Sequence, residues 1–458
     1  MKKTLYIFLL LAIISVACGR QRERQQAAQP EPTYESFFTD STLRLDYVFC
    51  GDATHQAIYL QNVIKTGPWA GRRQHLQEPL LAGNGQIRVT NPVTGQTIYS
   101  NSFSTLFQEW QSYEEARHLQ RAFQNSFQIP FPRDSVDVEV FLTDTHGKCS
   151  ASMKHRIRPD DILIRRMQDS GNECRLIWGE GKLAEAIDIV VVSEGYVEAE
   201  KEAFFADACR ARDALLSHEP FAGRKDDFNI RAVFAPSQQS GPSVPHKGQW
   251  HNTLGGSHFD TFYSERYLTA SLIQNVWDAI GNVPFEHLIL LANTDMYGGG
   301  GIYNNITIMG SRHSTFIPVL VHEFGHAFGG LADEYFYSDM VEPMYPADTE
   351  PWEPNITTLK DFSSKWEDML PEGTPVPTPV DTLENQDVRK IWSTLTSEQK
   401  ALLNSKLGVY EGAGYQAKGA YRPVQECRMK INECEEYCPV CTRAILRMID
   451  YYISRTGN

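Results

Sequence analysis

No part of the chain leaves fewer structural options than His322-Glu323-Phe324-Gly325-His326. On a helix the two histidines sit one turn apart on the same face, so both imidazoles can reach one metal ion. Glu323, next to the first histidine, can hold and deprotonate a metal-bound water. This is the spacing of a zinc protease helix. The flanking residues suit a helix. Ser314 or Thr315 can cap its start, and Pro318 is tolerated in a first turn. Leu320, Val321, Phe324 and Phe328 supply its apolar faces. Gly329-Gly330 can end it, because glycine accepts the left-handed backbone of a C-terminal cap. The bland alternative is a surface helix with two unrelated histidines. The two acids that follow at once, Asp333 and Glu334, weigh against it.

Catalytic zinc usually takes three protein ligands and leaves a fourth position to water, so one ligand has still to be found. It can come from a later helix, as a glutamate does in thermolysin-like enzymes. It can also come from the turn after the helix, as in the metzincin pattern HExxHxxGxxH. The position of that last histidine is Ala332 here. One residue further, Gly330-Leu331-Ala332-Asp333 reads as GxxD: the glycine lets the chain reverse and a carboxylate arrives under the metal. Asp333 is therefore the first candidate and Glu334 the alternative. Whichever does not ligate would orient a ligand imidazole. Zinc lowers the pKa of its water to about 7. Glu323 would take the proton as hydroxide attacks a scissile carbonyl, and pass it to the leaving amine.

The surroundings of the motif set the fold class. At 458 residues the chain exceeds one comfortable domain. Residues 43–158 are β-rich. Val136-Asp137-Val138-Glu139-Val140-Phe141-Leu142 alternates apolar and polar residues as a half-buried strand does. Asn84-Gly85, Asn91-Pro92 and Thr94-Gly95 punctuate the region like hairpin turns. One helix-like patch, 108–123, interrupts it. A small β-sandwich over residues 37–160 is expected, with a supporting role or, as the alternative, a carbohydrate- or protein-binding one. From residue 187 the pattern changes. Residues 187–192 and 287–292 are near-continuous apolar runs, suited to strands buried on both faces. Helices over 198–217 and 264–280, the second capped by Ser264, alternate with strands. Residues 302–309 alternate like an exposed strand behind a loose lead, Gly298 to Gly301, and an extended peptide could pair there by strand addition. Residues 337–382 read as a surface excursion. Helices are expected over 395–407 and 441–453. The fold class is α+β, with the catalytic domain over 170–458 built on a mixed sheet.

Charge and export signals narrow the setting. A formal net charge of -14 argues against a nucleic-acid partner. Met1-Lys2-Lys3, an apolar run over 5–16 and Ala17-Cys18-Gly19 read as a signal peptide over 1–18. The small residue before Cys18 resembles a bacterial lipobox, so Cys18 would carry a lipid that anchors the chain to a membrane. Ser15 departs from the leucine usual in that motif. Residues 19–36 read as a flexible tether. The location expected is the cell envelope, on the periplasmic or surface face. Eight further cysteines follow, and export permits disulfides. The clustered Cys427, Cys434, Cys438 and Cys441 are the best candidates for bridges. A zinc ribbon would need two CxxC pairs, and only Cys438-Pro439-Val440-Cys441 has that spacing.

Taken together, several segments resemble the bacterial IgA-peptidase family of zinc metallopeptidases. They are the motif helix with Gly330-Leu331-Ala332-Asp333-Glu334-Tyr335, then Gly408-Val409-Tyr410-Glu411-Gly412-Ala413-Gly414-Tyr415, Cys427-Arg428-Met429 and Tyr437-Cys438-Pro439-Val440-Cys441. The β-rich part resembles the N-terminal domain that such proteins carry. The resemblance implies a metzincin-like domain, Zn2+, His322 and His326 as ligands, Glu323 as base, and Met429 in a methionine turn packed beneath the metal. It implies a protein or peptide substrate, without fixing it as immunoglobulin A rather than another host or surface protein. A non-catalytic surface-binding protein that keeps the peptidase fold is the alternative function. The intact His322, Glu323 and His326 weigh against it.

Overall fold

The computed structural model describes residues 33–183, 185–337, 344–380 and 388–453. The signal peptide, Cys18 and nearly all of the expected tether lie outside these residues. Among the described residues no helix is long and apolar enough to cross a membrane. Tyr34, at the end of the expected tether, is already buried.

Residues up to about 166 form two four-stranded sheets. One runs in the order Arg121–Pro132, Phe38–Gly51, Gln56–Thr66, Arg165–Arg166. The other runs Thr97–Phe103, Gly85–Thr90, Val136–Thr143, Cys149–Ile157. Inward residues of both sheets, among them Leu45, Tyr47, Val89 and Val140, share one hydrophobic core. Val136–Thr143 shows why its sequence alternates: every second residue, from Val136 on, is buried. The expected helix over 108–123 is three pieces. Thr105 caps a short helix, Leu106–Trp110, a single 3-10 turn covers Glu114–Arg117, and Arg121 starts a strand. Trp110 is fully buried, so the apolar spacing there marks packing against the sheet rather than a continuous helix.

The second half is organised by a six-stranded sheet in the order Gly299–Ile302, Ile306–Gly310, His287–Ala292, Ile187–Glu194, Phe228–Phe234, Glu173–Trp178. Its four inner strands are parallel and its two outer strands antiparallel. Ile187–Glu194 and His287–Ala292 are buried along their whole length, as the unbroken apolar runs require. Helices Lys201–Leu216 and Phe316–Gly329 contribute to one core against the sheet, and Ile273–Ile280 to another.

Three expectations need correction. The helix over 264–280 is shorter, Ile273–Ile280, and Ser264 sits in a turn before it. The strand over 302–309 is instead a hairpin: Gly299–Ile302 and Ile306–Gly310 pair antiparallel around Asn304. The glycines read as a loose lead are themselves the edge strand, while Ile306–Gly310 is fully buried inside the sheet. Alternation misled because Thr307 is buried as well. Residues 344–380 are not a surface excursion either, since Asn355, Ile356 and Trp366 are fully buried.

Candidate active site

The motif lies on the helix Phe316–Gly329. Thr315 stands at its N-terminal boundary, though its side chain does not cap the helix. His313 instead bonds Thr315 through Nδ1. Gly330 ends the helix in the left-handed conformation, φ 62°. The helix lies flush on the edge strand, and glycines permit this. A Cβ on Gly301 would come within 2.1 Å of the Glu323 carbonyl oxygen, and one on Gly299 within 3.3 Å of Glu323 Cγ. Gly325, between the histidines, is demanded from the other side. A Cβ there would meet Met429 Sδ and the Tyr437 hydroxyl, each at 2.9 Å. Met429 is fully buried against that face of the helix.

His322 Nε2, His326 Nε2 and Asp333 Oδ1 converge. The nitrogens are 3.0 Å apart, and the oxygen lies 3.1 Å from one and 3.3 Å from the other. Each ring is oriented from behind. His322 Nδ1 donates to the Arg428 carbonyl at 2.9 Å and His326 Nδ1 to the Leu331 carbonyl at 2.6 Å. A carbonyl can only accept, so the Nδ1 atoms carry the hydrogens and the Nε2 lone pairs face one another and the carboxylate. Such a trio is stable around a cation. Tetrahedral ligands at zinc–nitrogen distance are about 3.3 Å apart, close to the observed triangle. The residues therefore fit zinc.

The turn that delivers Asp333 is held by its backbone. Asn355 Oδ1 accepts from the Ala332 amide at 2.8 Å, and its Nδ2 donates to the Ala332 carbonyl at 2.9 Å. Ala332 itself packs with Ile356, Ala413 and Ala420, so the residue that departs from the histidine pattern fills a small core. The Tyr415 hydroxyl donates to Asp333 Oδ2. Tyr415 has a positive φ of 68°, a strained backbone of the kind found where a side chain must be aimed. Glu334 points elsewhere: its Oε1 meets Asn355 and Cys441, at 3.0 and 3.1 Å.

Electrostatics follow from burial and these contacts. Burial alone would raise the pKa of Asp333, yet the imidazoles of His326 and His322 hold it far below the usual carboxylate range. Burial would lower His326, and Asp333 instead lifts it to about 9. Burial raises Glu323; the imidazoles and the Gly301 amide oppose that rise. One nearby group was not foreseen. Glu109, from the short helix Leu106–Trp110, interacts electrostatically with Asp333, His326 and Glu323, and burial raises it to about 7. Tyr267 donates to Glu109 Oε2 at 2.6 Å. Nothing local in the sequence links Glu109 to residues more than two hundred positions away. Tyr267 also bridges Gly299, so the edge strand is already met at that residue, which narrows the room for strand addition. A cavity of about 400 Å³ lies alongside, lined by Tyr267, Gly300, Ile302, Trp250 and Phe262 among others.

The remaining histidines stay apart from the site. His246 pairs with Asp260, and His251 and His258 bond backbone carbonyls. The expected disulfides are absent: all eight cysteines among the described residues are free. Cys427, Cys438 and Cys441 converge on Glu334 instead.

A helix bearing His-Glu-x-x-His along a mixed sheet's edge strand, with a carboxylate closing the triangle, is the architecture of a metallopeptidase. The family model described as IgA Peptidase M64 matches residues 177–449, more than half of the chain, and a second, Peptidase M64 N-terminus, matches residues 33–154. The chain belongs to this peptidase family, and the resemblance read from the sequence is borne out. No curated protein matches the chain.

Proposed function

We propose that the protein is a zinc-dependent endopeptidase in which His322, His326 and Asp333 hold the metal and Glu323 is the general base. The observation that carries this reading is the triangle of two Nε2 atoms and one carboxylate oxygen at 3.0 to 3.3 Å, each ring oriented by a backbone carbonyl. Bound zinc supplies Lewis acidity, lowering the pKa of water to about 7 and polarising a carbonyl. The chain's own residues do the rest. Glu323, partly desolvated beside the edge strand, has the raised proton affinity that a general base needs. It accepts a proton from the attacking water and hands it to the leaving amine. Tyr415 fixes Asp333, and the Arg428 and Leu331 carbonyls fix the imidazoles, so the donors need no rearrangement. Met429 packs beneath the site and does not ligate.

The setting proposed is the cell envelope. It rests on the sequence of residues 1–18, with Cys18 carrying the lipid that tethers the enzyme to a membrane. Substrates would then be extracellular proteins, immunoglobulin A or another host or surface protein among them. The test compares cleavage of a mixed extracellular proteome by the wild type and by Glu323→Ala, with zinc measured in both. The wild type should cleave and hold zinc, and the variant should hold zinc without cleaving. Identical cleavage by both, or no zinc in either, would sink the proposal.

A further inference from the structure

The second convergence lies behind the first. Cys427, Cys438 and Cys441 each offer a sulfur, and Glu334 a carboxylate oxygen, all within 4.8 Å of one another. All four residues are fully buried, each with 0% exposure. Cys427 Sγ and Cys441 Sγ are 3.9 Å apart. That is far beyond a disulfide bond of about 2.05 Å. It is close to the separation of about 3.8 Å between sulfurs on a tetrahedral zinc with bonds of about 2.3 Å. Cys441 Sγ lies 3.1 Å from Glu334 Oε1. Glu334 Oε2 is buried without a hydrogen-bond partner among the described residues, an arrangement that costs free energy unless something else occupies it.

The backbone is set up for thiolates as well. The Cys438 amide donates to Cys427 Sγ at 3.3 Å, and the Cys441 amide to Cys438 Sγ at 3.4 Å. Cys438 is the N-terminal boundary residue of the helix Pro439–Tyr452, where the helix dipole favours negative charge. Three soft sulfurs and one oxygen around a closed, solvent-free point suit tetrahedral zinc rather than magnesium or calcium. The fourth cysteine of the cluster takes no part: Cys434 Sγ contacts Asn404 and the Glu436 carbonyl.

We propose that Cys427, Cys438, Cys441 and Glu334 form a second, structural metal site that takes Zn2+. It has no position open to substrate. Its work is mechanical. It ties the turn carrying Arg428 and Met429, the start of the helix Pro439–Tyr452, and the residue next to Asp333 into one knot. The Glu334 amide already donates to the Met429 carbonyl at 2.8 Å. Because the Arg428 carbonyl orients His322, the knot braces two supports of the active-site triangle. Bound metal would also keep the thiolates from pairing in an oxidising compartment.

The test uses the full chain purified without chelators, counting zinc by elemental analysis and free thiols after denaturation. The wild type should hold two zinc ions per chain. His322→Ala with His326→Ala should hold one. Cobalt exchanged into that double variant should show thiolate-to-cobalt charge-transfer absorption. Adding Cys441→Ser should abolish both the ion and the absorption. Glu334→Gln should keep the absorption and lose the ion to a chelator at least about tenfold faster, since removing an anionic ligand costs no less than removing a group that merely orients one. A double variant without zinc overturns the proposal, whether its thiols are free or two have been lost to a disulfide. One ion in the wild type and none in the double variant leaves the catalytic reading intact and removes this one. One ion in both does the reverse.

Discussion

Two adjacent carboxylates serve two unlike places. Asp333 turns toward two imidazoles that are partly open to solvent, and Glu334 turns toward three buried sulfurs. The same burial acts on both. At Asp333 the neighbouring imidazoles overcome it and the carboxyl stays ionised; at Glu334 burial dominates and holds the carboxyl well above its ordinary value. The difference teaches what separates a reacting centre from a fastening one. A reacting centre needs fixed donors, an approach for substrate and a base in reach. A fastening centre needs only closure.

The sharpest way to break this contrast is at the base. Glu323→Gln should lower peptide hydrolysis about 10²- to 10⁴-fold, the usual contribution of general acid–base catalysis, while the zinc content stays at the wild-type level. A parallel loss of zinc would make Glu323 a ligand and redraw the first centre.

The next test crosses the two acids. Asp333→Ala should lose the ion held by the histidines and with it nearly all activity, while cobalt in the thiol site keeps its charge-transfer absorption. Glu334→Ala should weaken the thiol site and leave the histidine site able to bind. If each substitution emptied both sites equally, the centres would be one cooperative unit and the division drawn between them would fail.

Tyr415→Phe probes support rather than ligation. Removing the hydroxyl that donates to Asp333 Oδ2 should weaken metal affinity or activity about 10- to 100-fold. Unchanged zinc affinity and unchanged kcat/KM would show that the strained Tyr415 backbone serves something else.

The last test leaves turnover aside and concerns stability, through Glu109 and pH. Its folded pKa, about 7, is raised above the ordinary 4.5 by burial. Folding therefore favours the protonated form. That contribution is complete below about pH 4.5 and is lost as pH rises through 7, amounting to at most about 3.5 kcal/mol at about 1.4 kcal/mol per pKa unit. In chelator-treated protein, Glu109→Gln should melt higher than the wild type at pH 8, with the gap closing by pH 5. A gap independent of pH would mean that Glu109 is not held neutral by the fold.

Much of this was legible in the chain. The strands Ile187–Glu194 and His287–Ala292 could be read from apolar runs, because a strand covered on both faces has no polar face to show. The motif helix could be read to its last residue from Gly329-Gly330. GxxD pointed to Asp333 because a turn and a carboxylate are local properties. The failures share a cause. The edge strand read as a loose lead because glycines carry no β signal, and only the helix packed on Gly299 and Gly301 explains them. The cysteines read as disulfides because their fourth partner, Glu334, lies 93 positions before Cys427.

By itself, then, the sequence determined the helix, its two histidines, the glutamate beside the first of them, and much of the chain order of strands and helices leading to it, since each depends on neighbours a few residues apart. Only the tertiary structure decided which carboxylate faces which centre, what stands behind Gly325, and that Glu109 approaches the site from the other half of the chain. Those outcomes depend on where distant segments pack, and burial then sets the charge each group carries.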